Sequence, residues 1–179
     1  MKYNIAALPE KPSLTDKQIQ DLLNIPKTIT KKSPAREAYR EEKNQKRCDL
    51  ELYTPSDDDT ELSVFIRQHS KFIENFSIGL RYQTNISSLG TITLVRYNGA
   101  HGESSRHQDG HYALPHIHRI SEQELAAGNT NPQESRREIT DRYSTFEQAL
   151  RIFFEDISVS NFAEYFPEAL QPRLFDEHP

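Results

Sequence analysis

The chain has 179 residues, a formal net charge of −5 and a single cysteine, Cys48. This length suits one domain, the lack of a long apolar run argues against a membrane span, and one cysteine excludes an intrachain disulfide and a thiolate zinc cluster. The acidic balance argues against a protein that coats nucleic acid indiscriminately, but it leaves room for a local basic surface.

The N-terminal part of the chain predicts a short helix followed by a basic loop. Residues 1–12 form an irregular start, and the capping residues at 13–16 then lead into apolar residues at helical spacing that end at Pro26. The segment 27–47 carries eight basic residues against three glutamates. Two interpretations of it stay open: a solvated loop, or an arm through which Lys27 and its neighbours contact phosphate.

From Cys48 onward, a period of two predicts an antiparallel sheet of about five strands. Apolar and polar residues alternate in five segments, at 48–53, 62–67, 76–82, 91–95 and 115–120. Short turns between the first four fit a meander. The segment between the last two is a long loop rich in Gly, Ser, His and Asp, and loops of that length usually have a purpose.

The most regular helical pattern lies near the C-terminal end. A capping box at 144–147 precedes apolar residues that recur at helical spacing up to Ile157. We therefore predict one α+β domain over 13–166, with this long helix packed on one face of the sheet and the short N-terminal helix at its edge. Residues 121–137 are interpreted as a polar loop and 167–179 as a C-terminal tail.

The N-terminal residues lack the apolar stretch of a signal peptide, and no apolar run approaches the roughly 18 residues of a membrane span. We therefore expect a cytoplasmic protein with no membrane partner.

The densest concentration of chemically capable residues lies between positions 96 and 119. Five of the seven histidines fall between positions 101 and 118. Because side chains alternate along a strand, His116 and His118 should project from the same face, about 6–7 Å apart, with Ile117 pointing into the core. Catalytic, metal-binding and structural interpretations of this cluster all stay open.

The catalytic interpretation needs no metal and pairs histidines with arginines, as in cleavage of RNA through its 2′-hydroxyl. The candidate catalytic residues are His101, His116, His118 and Arg96. An arginine within an otherwise apolar strand must face water or find an anion. The predicted substrate-binding residues are Arg67, Arg81, Asn98, Arg119 and Lys27.

The metal interpretation uses His116 and His118, with His101, Asp109 or His111 supplying the remaining ligands, because imidazole and carboxylate suit zinc, manganese or iron. No H-E-x-x-H spacing accompanies them, so no cofactor is assigned and a metal ion stays an alternative. In the structural interpretation, the imidazoles hydrogen-bond to loop carbonyls and hold the long loop against the sheet.

Several short motifs of the chain together resemble a bacterial domain family whose genes lie in prophages and near defence genes, and more distantly the TumE family of toxin–antitoxin toxins. The resemblance spans about positions 14 to 157 and is carried chiefly by R-x-N-G-x-H at 96–101, by D-G at 109–110 and by P-H-x-H at 115–118. The stretch 102–107 is longer than the family's compact turn, and 122–137 replaces an aromatic-rich segment.

The resemblance implies a toxin-like protein of a toxin–antitoxin or phage-defence system that acts on RNA through its histidines and arginines. An alternative is a non-enzymatic interaction module or accessory subunit of such a system. RNA and an antitoxin or defence-complex protein are the partners that these two interpretations imply.

Overall fold

The computed structural model describes residues 13–30, 40–42, 44–56, 60–100 and 114–170. One antiparallel sheet of eight strands dominates these residues. Its strands in chain order are β1 (Thr28–Ile29), β2 (Arg40–Glu42), β3 (Gln45–Tyr53), β4 (Glu61–His69), β5 (Phe76–Gln83), β6 (Thr91–Asn98), β7 (His116–Arg119) and β8 (Arg137–Ile139). β1 and β2 share one edge of β3, and the sheet then continues in sequence order from β3 to β8.

Short helices complete the fold. They are α1 (Asp16–Asn24), α2 (Glu122–Ala126), α3 (Phe146–Asp156), α4 (Phe162–Tyr165) and a 3₁₀ helix (Pro167–Leu170). The first three begin at capping boxes, whose N-cap residues are Thr15, Ser121 and Thr145. Among the described residues, no helix is both long and apolar enough to cross a bilayer.

The predicted fold class is wrong in its number of strands and helices. Five strands and one long C-terminal helix were expected, whereas the described residues form eight strands, and the longest helix, α3, has only 11 residues. The additional strands β1, β2 and β8 have two or three residues each, which is too short for alternation to show in the sequence. β1 and β2 lie within the predicted basic loop, and the 3₁₀ helix begins where a tail was predicted.

One face of the sheet forms the core together with the helices. The register aligns Leu50, Val64, Leu80 and Val95 across four strands, and each is at most 2 % exposed. α3 packs on this face through aromatic contacts, including one between Phe153 and Tyr97 with ring centroids 5.3 Å apart. We call this the helix face.

The opposite face is polar. The register aligns one row of residues across it, which are Asp49, Phe65, Gly79, Arg96, His118 and Arg137. Over β6 and β7 this polar face is covered by the segment 127–136, which is held in part by the backbone N–H of Thr93 donating to the carbonyl of Thr130 at 2.8 Å. Asp49 and Arg81 remain partly or fully exposed on β3 and β5.

Lys27 ties the N-terminal segment to the end of α3. Its side chain is buried, and the ammonium donates to the carbonyls of Leu23, Ile25 and Ile157 at 2.9, 2.7 and 2.8 Å. Its backbone also bonds to residues 158–160. Because the last carbonyls of a helix lack partners within that helix, one ammonium serves the C-terminal ends of both α1 and α3.

Candidate functional site

The two histidines of β7 lie side by side on the polar face. His116 pairs with Asn98 of β6 and His118 pairs with Arg96, while Ile117 between them is buried in the core. The prediction that both rings share one face is therefore confirmed. Their ring centroids are 5.0 Å apart with the planes nearly perpendicular, and both residues are fully buried.

Hydrogen bonds fix which nitrogen of each ring carries the proton. Nδ1 of His116 lies 2.9 Å from the carbonyl oxygen of Leu114, and Nδ1 of His118 lies 3.2 Å from that of Gln133. A carbonyl can only accept, so both Nδ1 atoms donate, and in the neutral rings the lone pairs are on Nε2. The Asn98 amide donates to Nε2 of His116 at 3.2 Å, whereas Nε2 of His118 has no hydrogen-bond partner among the described residues.

Glu134 completes the site, and no argument from the sequence singled it out. Its Oε2 lies 3.4 Å from Nε2 of His118, and its Oε1 accepts a short hydrogen bond from Nη2 of Arg96. One potential ligand atom each from His116, His118 and Glu134 lies within 4.8 Å of the other two. The structure thus joins a carboxylate from the predicted polar loop to the predicted histidine pair.

The electrostatics of the site keep the imidazole neutral and the carboxylate charged. Burial, and next the charge of Arg96, lower the pKa of His118 to about 4. Burial opposes ionisation of Glu134, but the hydrogen bond and charge of Arg96 lower the pKa of that carboxyl below its ordinary value. At neutral pH, an ionised carboxylate therefore faces an imidazole lone pair.

Helix α2 positions Glu134 from a distance. The carboxylate of Glu124 is almost fully buried, and it accepts hydrogen bonds from the backbone N–H of Ser121 at 3.0 Å and from that of Gln133 at 3.0 Å. The carbonyl of the same Gln133 accepts from His118. Glu124 therefore fixes the backbone immediately before Glu134 and, through it, one ring of the histidine pair.

Tyr143 fastens the other end of β7. Its hydroxyl lies 3.1 Å from the carbonyl of Asn98 and 3.0 Å from that of His116, and so bridges β6 and β7. Burial raises the pKa of this phenol, so that it remains a donor.

A second cluster occupies the polar face over β3, β4 and β5. The guanidinium of Arg81 lies 4.4 Å above the Phe65 ring centroid and that of Arg67 lies 5.7 Å from it. Asp49 accepts two hydrogen bonds from Arg67, at 2.7 and 3.0 Å, and lies 3.9 Å from Arg81. Gly79 leaves room for the ring, because a Cβ there would lie 2.3 Å from a Phe65 ring atom.

The structure brings together only part of the predicted site. Arg96 and Asn98 lie beside the histidine pair, and Arg67 and Arg81 lie farther along the same face. Arg119, in contrast, pairs with the buried Val95 and therefore projects from the helix face. These positions locate the side chains and leave their predicted roles untested.

Lys27 does not join this arrangement, because its ammonium donates to three carbonyls inside the protein. His101, Asp109 and His111 lie outside the described residues.

A groove of about 580 Å³ opens along β3 to β6 at the side remote from the histidine pair, and residues such as Glu51, Ser63, Arg81 and Thr91 line it. Neither His116 nor His118 lines this groove.

Comparisons with protein-family models, with curated proteins and with solved structures give no match to the chain. The residues of the polar face therefore carry the functional inference.

Proposed function

We propose that the protein is a toxin-like protein that acts on RNA, with the phosphate backbone held on the polar face and the reacting group at the histidine pair. One observation carries the proposal. Arg67, Arg81 and Arg96 project from the same face of three adjacent strands, and His116 and His118 project from that face on the next strand, β7.

The cluster over β3 to β5 suits a single-stranded nucleic acid. Guanidinium groups bind phosphate through planar, paired donors, and both guanidinium planes and aromatic rings accept stacked bases. Arg81 covers Phe65, and its side chain is 39 % exposed, so a base can stack on the guanidinium or take its place on the ring. Arg67 donates to Asp49 and to the carbonyls of Cys48 and Ile66, which fixes its guanidinium beside the same ring.

Arg96 connects this surface to the histidines. Its Nη2 donates to Glu134, while its Nε is buried and has no hydrogen-bond acceptor among the described residues. A phosphate oxygen is a suitable acceptor for that N–H. Because both histidine rings are buried, the reacting group would have to open the ion pair between Arg96 and Glu134, whose side chains are 23 % and 57 % exposed.

Growth of cells expressing the protein, together with the integrity of their RNA, tests the proposal. We expect His118→Gln and Arg96→Gln to relieve growth inhibition and spare RNA, because each removes a group that faces the reacting atoms. The controls Lys46→Gln, at an exposed position of β3, and Arg119→Gln, on the helix face, should stay toxic. Thermal melts of the purified variants would show that each is folded.

Equal toxicity of all four variants would remove the histidine and Arg96 from the mechanism. A wild-type protein that neither inhibits growth nor degrades RNA would contradict the proposal as a whole.

A second candidate is a non-enzymatic interaction module in a toxin–antitoxin or defence complex. It is favoured by two large apolar side chains beside the His116 end of β7, Leu114 at 46 % and Ile139 at 55 % exposure. Ile139 belongs to β8, which ends the sheet, and an edge strand can pair with a partner's strand. A partner protein that co-purifies with the wild type but not with Ile139→Lys, with cellular RNA intact, would favour this candidate.

A further inference from the structure

We propose that His116, His118 and Glu134 bind one divalent transition-metal ion, best matched by Zn²⁺, through three protein ligands that leave a coordination position open. The catalytic use of this ion rests on the proposed function, because it would serve the same site. The binding of the ion does not, since it follows from the ligand geometry alone.

The first support is the direction of the donor atoms. Histidines that bind metal usually donate their other ring N–H to a carbonyl or carboxylate, which fixes the tautomer and turns the lone pair toward the ion. Both His116 and His118 have this arrangement, through the carbonyls of Leu114 and Gln133. Two rings on one strand that are oriented in the same way by separate carbonyls present both lone pairs on the polar face.

The second support is an unpartnered atom. Nε2 of His118 is buried, and no described residue forms a hydrogen bond with it. Buried polar atoms are rarely left without a partner in folded proteins, and each exception calls for a specific explanation. An ion beside Glu134 provides one, because the same lone pair would then become a ligand.

The third support is distance. Two ligands at about 2.1 Å from a tetrahedral zinc ion lie about 3.4 Å apart. Nε2 of His118 and Oε2 of Glu134 are 3.4 Å apart. The three ligand atoms lie within 4.8 Å of one another, so that the third would have to move inward by up to about 1.4 Å. For His116, this movement replaces the hydrogen bond from Asn98.

The charges are also compatible with a cation. One carboxylate and two neutral imidazoles match the ligand set of metal hydrolases and of mononuclear iron enzymes. Arg96 engages Oε1 of Glu134 and leaves Oε2 facing His118. The arginine thus holds the carboxylate in place through the oxygen that the ion would not use. An ion here could activate a water molecule close to the Arg96 N–H that we assign to phosphate.

Equilibrium dialysis of the full chain, stripped of metal and exposed to Zn²⁺ alone, tests the site. We expect about one bound ion per chain for the wild type and at least about tenfold weaker binding for Glu134→Gln, which loses an anionic ligand. Glu134 is 57 % exposed, so this substitution should leave the fold intact. The matched control is Glu138→Gln, an exposed glutamate four residues along the chain, which should bind like the wild type.

Loading the protein with Co²⁺ in place of Zn²⁺ supplies a second readout, because the visible absorption of Co²⁺ is more intense when fewer ligands surround the ion. We expect this absorption to be weaker in His118→Gln than in the wild type. Failure of the wild type to bind Zn²⁺ stoichiometrically, or equal binding by Glu134→Gln and Glu138→Gln, would overturn the site.

Parallel RNA assays separate this inference from the proposed function. Stoichiometric Zn²⁺ binding with RNA left intact would support the site and count against the RNA proposal. RNA degradation that continues unchanged after chelation would support the RNA proposal and overturn the catalytic use of the ion.

Discussion

At the scale of single residues, two buried basic side chains have opposite roles. Lys27 has three carbonyl acceptors within 3 Å, so its hydrogen-bonding capacity is used inside the fold. His118 has one acceptor for its N–H and a lone pair that no described residue uses. The sequence groups Lys27 with a basic surface because of its neighbours, whereas the structure buries its ammonium. The free lone pair makes His118 the better candidate for binding.

Lys27 should give the stability of the protein a specific pH dependence. Burial lowers the pKa of its ammonium to about 8 from 10.5. Between these two values the unfolded chain holds the proton more firmly than the folded chain, so the free energy of unfolding should rise with pH, by at most about 1.4 kcal/mol per unit. Urea denaturation of the wild type and of Lys27→Met at pH 7.5, 8.5 and 9.5 would measure this slope.

In Lys27→Met this contribution disappears, and three carbonyls lose their donor, so we expect a shallower slope and a lower stability at pH 9.5. Identical slopes for the two proteins would show that Lys27 has an ordinary pKa in the folded state.

At the scale of elements, the pairing of β4 with β5 depends on a glycine opposite an aromatic residue. Phe65 pairs directly with Gly79, and its ring occupies the space that a side chain at 79 would need. The ring in turn lies beneath the guanidinium of Arg81. The contact between Phe65 and Gly79 therefore determines the position of Arg81, which we propose to bind phosphate.

Gly79→Ala should disturb this arrangement. Its Cβ would lie 2.3 Å from the Phe65 ring and 3.1 Å from the carbonyl oxygen of Val95, so the ring must move. We expect a loss of about 1–3 kcal/mol in the free energy of unfolding, which is typical of overpacking, together with weaker RNA binding.

The double variant Phe65→Leu with Gly79→Ala should lose less stability than the sum of the two single variants, because the smaller side chain makes space for the methyl group. Additive losses, measured by urea denaturation, would place the cost at the Val95 carbonyl instead.

At the scale of the whole molecule, the net charge is −5, yet the polar face carries all three arginines that we assign to phosphate. Binding to RNA should therefore be local and sensitive to salt. For single strands, log K falls with log salt concentration with a slope of about −0.7 per phosphate contact. We expect Arg67→Gln and Arg81→Gln each to weaken binding and to reduce that slope by about 0.7.

Arg151→Gln makes the same change of charge on the exposed side of α3 and is the matched control. Fluorescence anisotropy with a labelled single-stranded RNA over a range of salt concentrations would measure all three variants. If the control lowers the slope as much as the other two, net charge rather than the polar face governs binding.

The sequence predicted the elements that carry their own pattern and missed those that depend on a neighbour. β3 to β7 alternate clearly, and α1 and α3 combine caps with helical spacing. The short β2 and β8 have no period of their own and exist because an adjacent strand edge accepts them. α2 did have a visible signal, the capping box of Ser121 and Glu124, but it lies in a segment interpreted as loop.

The candidate site divides in the same way. The placement of His116 and His118 follows from alternation along one strand, which is local information. The position of Glu134 beside the histidines does not follow from local information. It depends on the hydrogen bond between Gln133 and Glu124, nine residues apart, and on the ion pair with Arg96, 38 residues away. Tertiary contacts of this kind leave no spacing in the sequence.

The tie made by Lys27 also bears on how the protein is made. Its acceptor on Ile157 lies 130 residues farther along the chain. At translation rates of roughly 5–20 residues per second, the ribosome adds that partner on the order of ten seconds after the lysine. In the interval, α3 does not yet exist for α1 to pack against, and Ile19 and Leu23, which are buried in the folded protein, are not yet covered by it. Helix α1 is therefore synthesised well before α3, against whose end it docks, and it can settle only after α3 has been made.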